Sequence, residues 1–116
     1  MSIANEGLAN EGQTTVSKMK VHSLIRRRVA IAADAFVEVV IWQVPAPVAP
    51  SPHSFKYRLA YVVDDRCVLR YDNERGKGDH RHTETTEEPY VFLTPDRLMS
   101  DFDADVARWN HENRHP

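Results

Sequence analysis

The chain has 116 residues, of which 41% are apolar and 28% charged, and its formal net charge is −2 with neutral histidines. At this length one small domain is expected, and the near-neutral balance excludes nucleic-acid or membrane binding through bulk charge. Cys67 is the single cysteine, which excludes a disulfide-stapled scaffold and fits a reducing cytoplasm.

Residues 3–7 and 8–12 are a near-perfect tandem duplication, Ile-Ala-Asn-Glu-Gly followed by Leu-Ala-Asn-Glu-Gly. Two copies of so short a unit cannot stack into a repeat fold, so residues 1–20 are expected to be a disordered leader. Met1–Thr15 has no apolar segment of signal-peptide type, and no apolar run approaches the about 20 residues that span a bilayer. A cytoplasmic protein without a membrane partner is expected.

A single α+β domain is expected over 21–109, with 110–116 as a flexible tail. Leu24 to Ile31 and Phe36 to Val44 are rich in β-branched residues and flank Ala33-Asp34-Ala35, the pattern of a hairpin. Val39, Val40, Ile41 and Trp42 are consecutive apolar residues, which predicts a central strand covered on both faces. Four prolines between 45 and 52 make that stretch an extended loop. Lys56 to Val63 alternates, and Cys67 to Asn73 returns after a turn at Asp64-Asp65-Arg66. A three-residue loop pairs Val63 with Cys67 and Arg58 with Asp72. It places Lys56, Arg58, Arg70 and Asp72 on one face, with Tyr57, Leu59, Cys67, Leu69 and Tyr71 toward the core; a two-residue loop would break that sorting. Glu74 to Pro89 reads as a long polar loop, and Tyr90 to Leu93 as an edge strand. Thr94 and Pro95 open a helix whose apolar stripe is Leu98, Met99, Phe102, Val106 and Trp109. The architecture expected is an antiparallel sheet of about four to five strands with a C-terminal α-helix packed on one face.

Chemistry concentrates in residues 70–82. Gly76 and Gly78 let the backbone turn sharply, and together with Tyr71, Asp72 and Asn73 they shape the loop. Lys77 and Arg81 suit phosphate charge, and Lys56, Arg58, Arg70 and Arg75 extend the positive surface. His80 and His82 offer a general acid and a general base, the pair that RNA cleavage through the 2′-hydroxyl needs, with Asp79 to orient one imidazole. No metal or other cofactor is expected; the competing metal reading of His80-x-His82 needs further ligands, with His53, Asp72 and Asp79 the candidates. A charged, solvated loop is the plainer alternative. Trp42 and Trp109 are read as core residues and Cys67 as a buried small apolar one.

The run Phe36-Val37-Glu38-Val39-Val40-Ile41-Trp42-Gln43-Val44-Pro45, with Lys56-Tyr57-Arg58-Leu59-Ala60-Tyr61 and Arg70-Tyr71-Asp72-Asn73 through His82, resembles the TumE family over about residues 20–108. Its members are toxin components of bacterial type II toxin–antitoxin systems. The resemblance implies a cognate antitoxin, typically a helix-turn-helix protein, and a target in RNA or translation. It departs at the first turn, where Asp34-Ala35 replaces Asp-Gly, and in the longer proline segment. Two functions stay open: a metal-independent ribonuclease-like toxin, and a non-enzymatic module that binds nucleic acid or protein. A homodimer is compatible with both.

Overall fold

Apolar residues at alternate positions become strands, and the three- and four-residue spacing after Thr94 becomes a helix. The computed structural model describes residues 22–73 and 76–114, so the expected leader, Arg75 and the last two residues lie outside the description. The elements are β1 (His22–Ala32), β2 (Ala35–Gln43), β3 (Phe55–Val63), β4 (Arg66–Asp72), β5 (His80–Thr83), β6 (Glu87–Pro89) and α1 (Pro95–Asn113). The described strands form one antiparallel sheet in chain order, β1 to β6. The α+β class is as expected, with six strands among the described residues instead of about four to five.

The extra strands come from the segment expected to be a loop. β5 pairs with β4 through Asp72–His80, Tyr71–Arg81 and Arg70–His82, and β6 closes the edge against β5. The edge strand therefore falls on Glu87–Pro89, not on Tyr90–Leu93. Tyr90 and Phe92 instead turn inward against the core as the chain crosses to the helix.

α1 covers one face of the sheet. Leu98 and Phe102 are fully buried against Val39, Ile41, Leu59, Tyr61, Leu69 and Tyr71. The opposite face meets no helix among the described residues, so β2 is not doubly covered. Phe36, Val40 and Trp42 alternate away from the core and are only partly buried there. Trp109, by contrast, packs edge-on against Tyr61 with ring centroids 5.8 Å apart.

The β3–β4 turn has two residues, Asp64 and Asp65, with φ of 52° and 62°. Two left-handed residues make the tight hairpin turn whose twist matches that of its strands. Val63 therefore faces Arg66, not Cys67, and Cys67 faces Val62. A bulge then absorbs Val68, and from Tyr61–Leu69 onward the expected register holds, with Arg58 opposite Asp72. Cys67 is in consequence exposed, on the face away from the core.

The helix is tied to the sheet by polar contacts as well as packing. Thr94 caps it by accepting from the Arg97 amide, and it continues to Asn113. Asp105 sits on the buried stripe, accepting from the Tyr71 hydroxyl at 2.5 Å, Arg81 Nε at 2.6 Å and Arg108 Nη1 at 2.6 Å. Tyr90 donates to Asp101 and Tyr61 to Asn110, each at 2.6 Å. Desolvation is the largest influence on Asp105 and opposes its ionisation, but Arg81, Tyr71 and Arg108 outweigh it and hold the carboxyl below its ordinary range. For Tyr71, burial first and the Asp105 carboxylate second push the phenol upward.

A carboxyl lowered in the folded state stabilises fully above its unfolded value, about pH 4, and that contribution vanishes as pH falls through the folded value. Asp105→Asn is expected to cost about 2–3 kcal/mol at pH 7 by urea unfolding, and the difference from wild type should shrink as pH drops below 4.

Candidate functional site

β5 has almost no apolar residues, and strand pairing decides where its side chains point. His80 and His82 face the uncovered side of the sheet, while Arg81 between them faces the helix. Register continues this alternation across every strand. One row across the open face runs Arg28, Glu38, Ala60, Arg70, His82, Glu87; the next runs Arg26, Val40, Arg58, Asp72, His80, Pro89.

His82 is well surrounded on this face, with 17% of its side chain exposed. Arg70 Nη2 lies 3.2 Å from its Nε2 and 3.4 Å from its Nδ1, so the guanidinium rests against the ring instead of pointing at one nitrogen. His82 Nε2 is 3.6 Å from Asp72 Oδ1 and 3.9 Å from Glu87 Oε2. Asp72 Oδ2 in turn is 2.9 Å from Arg70 Nε, an ion pair whose angle is too poor for a hydrogen bond. The His80 ring centroid is 6.3 Å from that of His82, and its Nδ1 is 3.2 Å from the Gly78 carbonyl. Lys77 reaches Glu87 at 3.4 Å. Desolvation would raise the Glu87 carboxyl, but Lys77, with His82 and His80 behind it, keeps it lowered. Arg58 approaches Glu38 at 3.5 Å, and Lys56, two positions from Arg58 along β3, is exposed.

Asp79 is not brought to either of these histidines. Its carboxylate is buried on the other side of the chain, where it accepts from the Tyr57 hydroxyl at 2.6 Å, from His53 Nε2 at 2.7 Å and from the Ser51 hydroxyl. The Phe55 amide donates to His53 Nδ1 at 3.2 Å, which leaves the proton of the neutral ring on Nε2, facing Asp79. Phe92 stacks on His53 with centroids 4.0 Å apart and closes the cluster. Burial first, then the hydrogen bond to Asp79, pushes the Tyr57 phenol upward.

This cluster clasps the proline-rich loop to the glycine loop. Asn73 adds to it, accepting from the Tyr57 amide at 3.0 Å and donating to the Phe55 carbonyl at 2.5 Å. Gly76 donates its amide to the Ala49 carbonyl at 3.1 Å. Gly76 and Gly78 have φ of +86° and +79°, backbone conformations that L side chains rarely adopt, and a Cβ at Gly78 would lie 3.4 Å from the Pro50 ring. Tyr71 belongs to the core beside Asp105.

Of the expected phosphate-binding residues, Lys56, Arg58, Arg70 and Lys77 share the open side with His80 and His82. Arg81 does not: its Nε binds Asp105 at 2.6 Å and its Nη1 binds Glu88 at 3.0 Å. Hydrogen bonding to Asp105 is the largest of the influences that raise its already high pKa. Arg75 lies outside the described residues. Among the described residues no group of three His, Cys, Asp or Glu side chains is placed to hold a metal ion. Sequence reasoning missed the role of His53 and Ser51, which stand 26 and 28 positions from Asp79, and it missed Glu87; no local signal links the first two to their acceptor.

The family model described as Toxin TumE matches residues 4–110, and the chain belongs to that family. No curated protein and no solved structure matches it. No helix among the described residues is long and apolar enough to cross a membrane.

Asp79→Ala strands three donors, two of them deeply buried, and is expected to destabilise by about 3 kcal/mol in urea unfolding. Asp72→Ala removes a partly solvated ion pair and should cost about 1 kcal/mol or less in the same measurement.

Proposed function

We propose that this member of the TumE family is the toxin of a type II toxin–antitoxin pair and acts on RNA from the open face of its sheet. Lys56, Arg58, Arg70 and Lys77 hold backbone phosphates, and His80 and His82 exchange protons with the ribose and the leaving group. One imidazole removes the 2′-hydroxyl proton as that oxygen attacks phosphorus. The other donates a proton to the departing 5′-oxygen, leaving a cyclic phosphate and a free hydroxyl end. The chemistry requires no metal. The observation that carries this reading is the placement of His80 and His82 on one strand face, their ring centroids 6.3 Å apart, with Arg70 against His82.

The protein works in the bacterial cytoplasm, and its antitoxin partner is a helix-turn-helix protein that blocks the same face. Asp79 serves the site indirectly, by fixing the loop that delivers β5. A homodimer is compatible with this arrangement and is not required by it.

A second reading is a non-enzymatic binding module. It is favoured by the carboxylates already paired with the cations, Asp72 with Arg70 and Glu87 with Lys77. Such compensation weakens a phosphate clamp yet suits a surface that docks a partner.

Induction of the chain alone, with growth and total RNA followed together, tests the proposal. His80→Ala/His82→Ala is expected to remove growth arrest and to slow RNA cleavage at least about 100-fold, with the thermal unfolding midpoint retained. Cleavage that persists in the folded double variant sinks the catalytic assignment. RNA bound but never cut by wild type, with binding weakened most by Arg70→Ala or Lys77→Ala, would establish the binding module instead.

A further inference from the structure

The open face does not stop at the histidines. Register carries its two rows back across β3 and β2 to β1, where Arg28 faces Glu38 and Arg26 faces Val40. Across these three strands the open face presents Arg26, Arg28, Lys56 and Arg58, all exposed, and a single carboxylate, Glu38. Glu38 lies 4.0 Å from Arg28 and 3.5 Å from Arg58, and so organises two of the four cations while leaving the surface positive.

The same face carries aromatic rings. Trp42 stands opposite Lys56, partly exposed and turned away from the core. The Arg28 guanidinium lies 4.0 Å above the centre of the Phe36 ring, a cation held flat on an aromatic face. Exposed cations interleaved with rings on a sheet face that no helix among the described residues covers are the ingredients of a base-stacking platform. Rings can stack only on bases that are not already paired, so this chemistry selects single strands over duplexes.

We propose that the β1–β3 part of the open face is a binding track for single-stranded RNA, with Trp42 stacking a base and Arg26, Arg28 and Arg58 following the backbone toward His82. The proposal rests on the RNA reading above and adds to it the substrate class and the residues that select it. From Arg28 to His82 the row crosses four strand spacings, about 19 Å at roughly 4.8 Å each. That length suits about four nucleotides, the short end for a sheet-based single-strand site.

The test is fluorescence anisotropy of the full chain with a labelled eight-residue 2′-O-methyl oligouridylate, which cannot be cut at the ribose, against an RNA hairpin of similar charge. Wild type is expected to bind the single strand at least about tenfold more tightly than the hairpin. Trp42→Ala should weaken single-strand binding about tenfold, with Trp42→Phe restoring most of it. Arg26→Ala/Arg28→Ala should weaken it similarly and reduce the slope of log affinity against log salt by about 1.4. Thermal melting verifies that each variant is folded, and the paired arginine substitutions test the track even where Trp42→Ala fails to fold. Wild-type binding that none of the folded variants weakens, or a preference for the hairpin, overturns the track while the RNA reading stands. No binding of either RNA by wild type overturns both.

Discussion

The hairpin joining β3 to β4 turns on Asp64 and Asp65, and continued straight from there it would pair Arg58 with Tyr71. Every later side chain would then meet the wrong side of the sheet, because one residue of slip exchanges the two faces of a strand. Arg70 and Asp72 would point under the helix, and Tyr71 would lose Asp105. The bulge at Val68 inserts the one residue that restores the sorting. β5 and β6 inherit their register from β4, so the positions of His80, His82 and Arg81 all descend from that insertion. The driving force is the burial of Tyr71 and Leu69 together with the cost of placing Arg70 in the core.

The alternation of Lys56 to Val63 and of the returning strand was enough to predict the pairing of Arg58 with Asp72, since only that pairing sorts polar from apolar. Turn length was not legible, because a two-residue turn plus a bulge and a three-residue loop give the same register beyond Tyr61. The difference shows at residues 66–68: Arg66 faces Val63, Val68 falls in the bulge, and Cys67 turns outward. The helix was legible from its cap and stripe, yet Asp105 on that stripe was not, because its partners Tyr71 and Arg81 come from two different strands.

β5 was the least legible element. Gly76-Lys77-Gly78-Asp79-His80-Arg81-His82 has the composition of a loop, and intrinsic preference gives no reason for a strand. Pairing with β4 imposes one, and imposes with it the period-two alternation that separates the two histidines from Arg81. Asp79 follows the same logic. Adjacent to His80 in sequence, it faces away from it and gathers Ser51, His53 and Tyr57, none of which its neighbours in the chain announce. Trp42 was misread for a related reason: an apolar run suggests two covered faces, but the described residues supply one helix for one face.

The two faces handle charge differently, and the difference bears on function. On the helix side Asp105 satisfies Arg81, Arg108 and Tyr71 at hydrogen-bond distance in a largely dry setting, so any anion arriving there would have to displace a complete set of partners. On the open side the pairs run from 2.9 Å for Arg70 with Asp72, which lacks hydrogen-bond geometry, to 4.0 Å for Arg28 with Glu38, and most are wetter. Exposed pairs of this kind contribute about 1 kcal/mol or less each. Replacing such a carboxylate by a phosphate oxygen therefore costs little, while the carboxylates keep the cations extended and spaced before the ligand comes. The arginine the sequence offered most plainly as a phosphate ligand, Arg81, is thus committed to holding the helix. The weaker pairs around Arg70 and Lys77 are the ones an incoming anion can exchange.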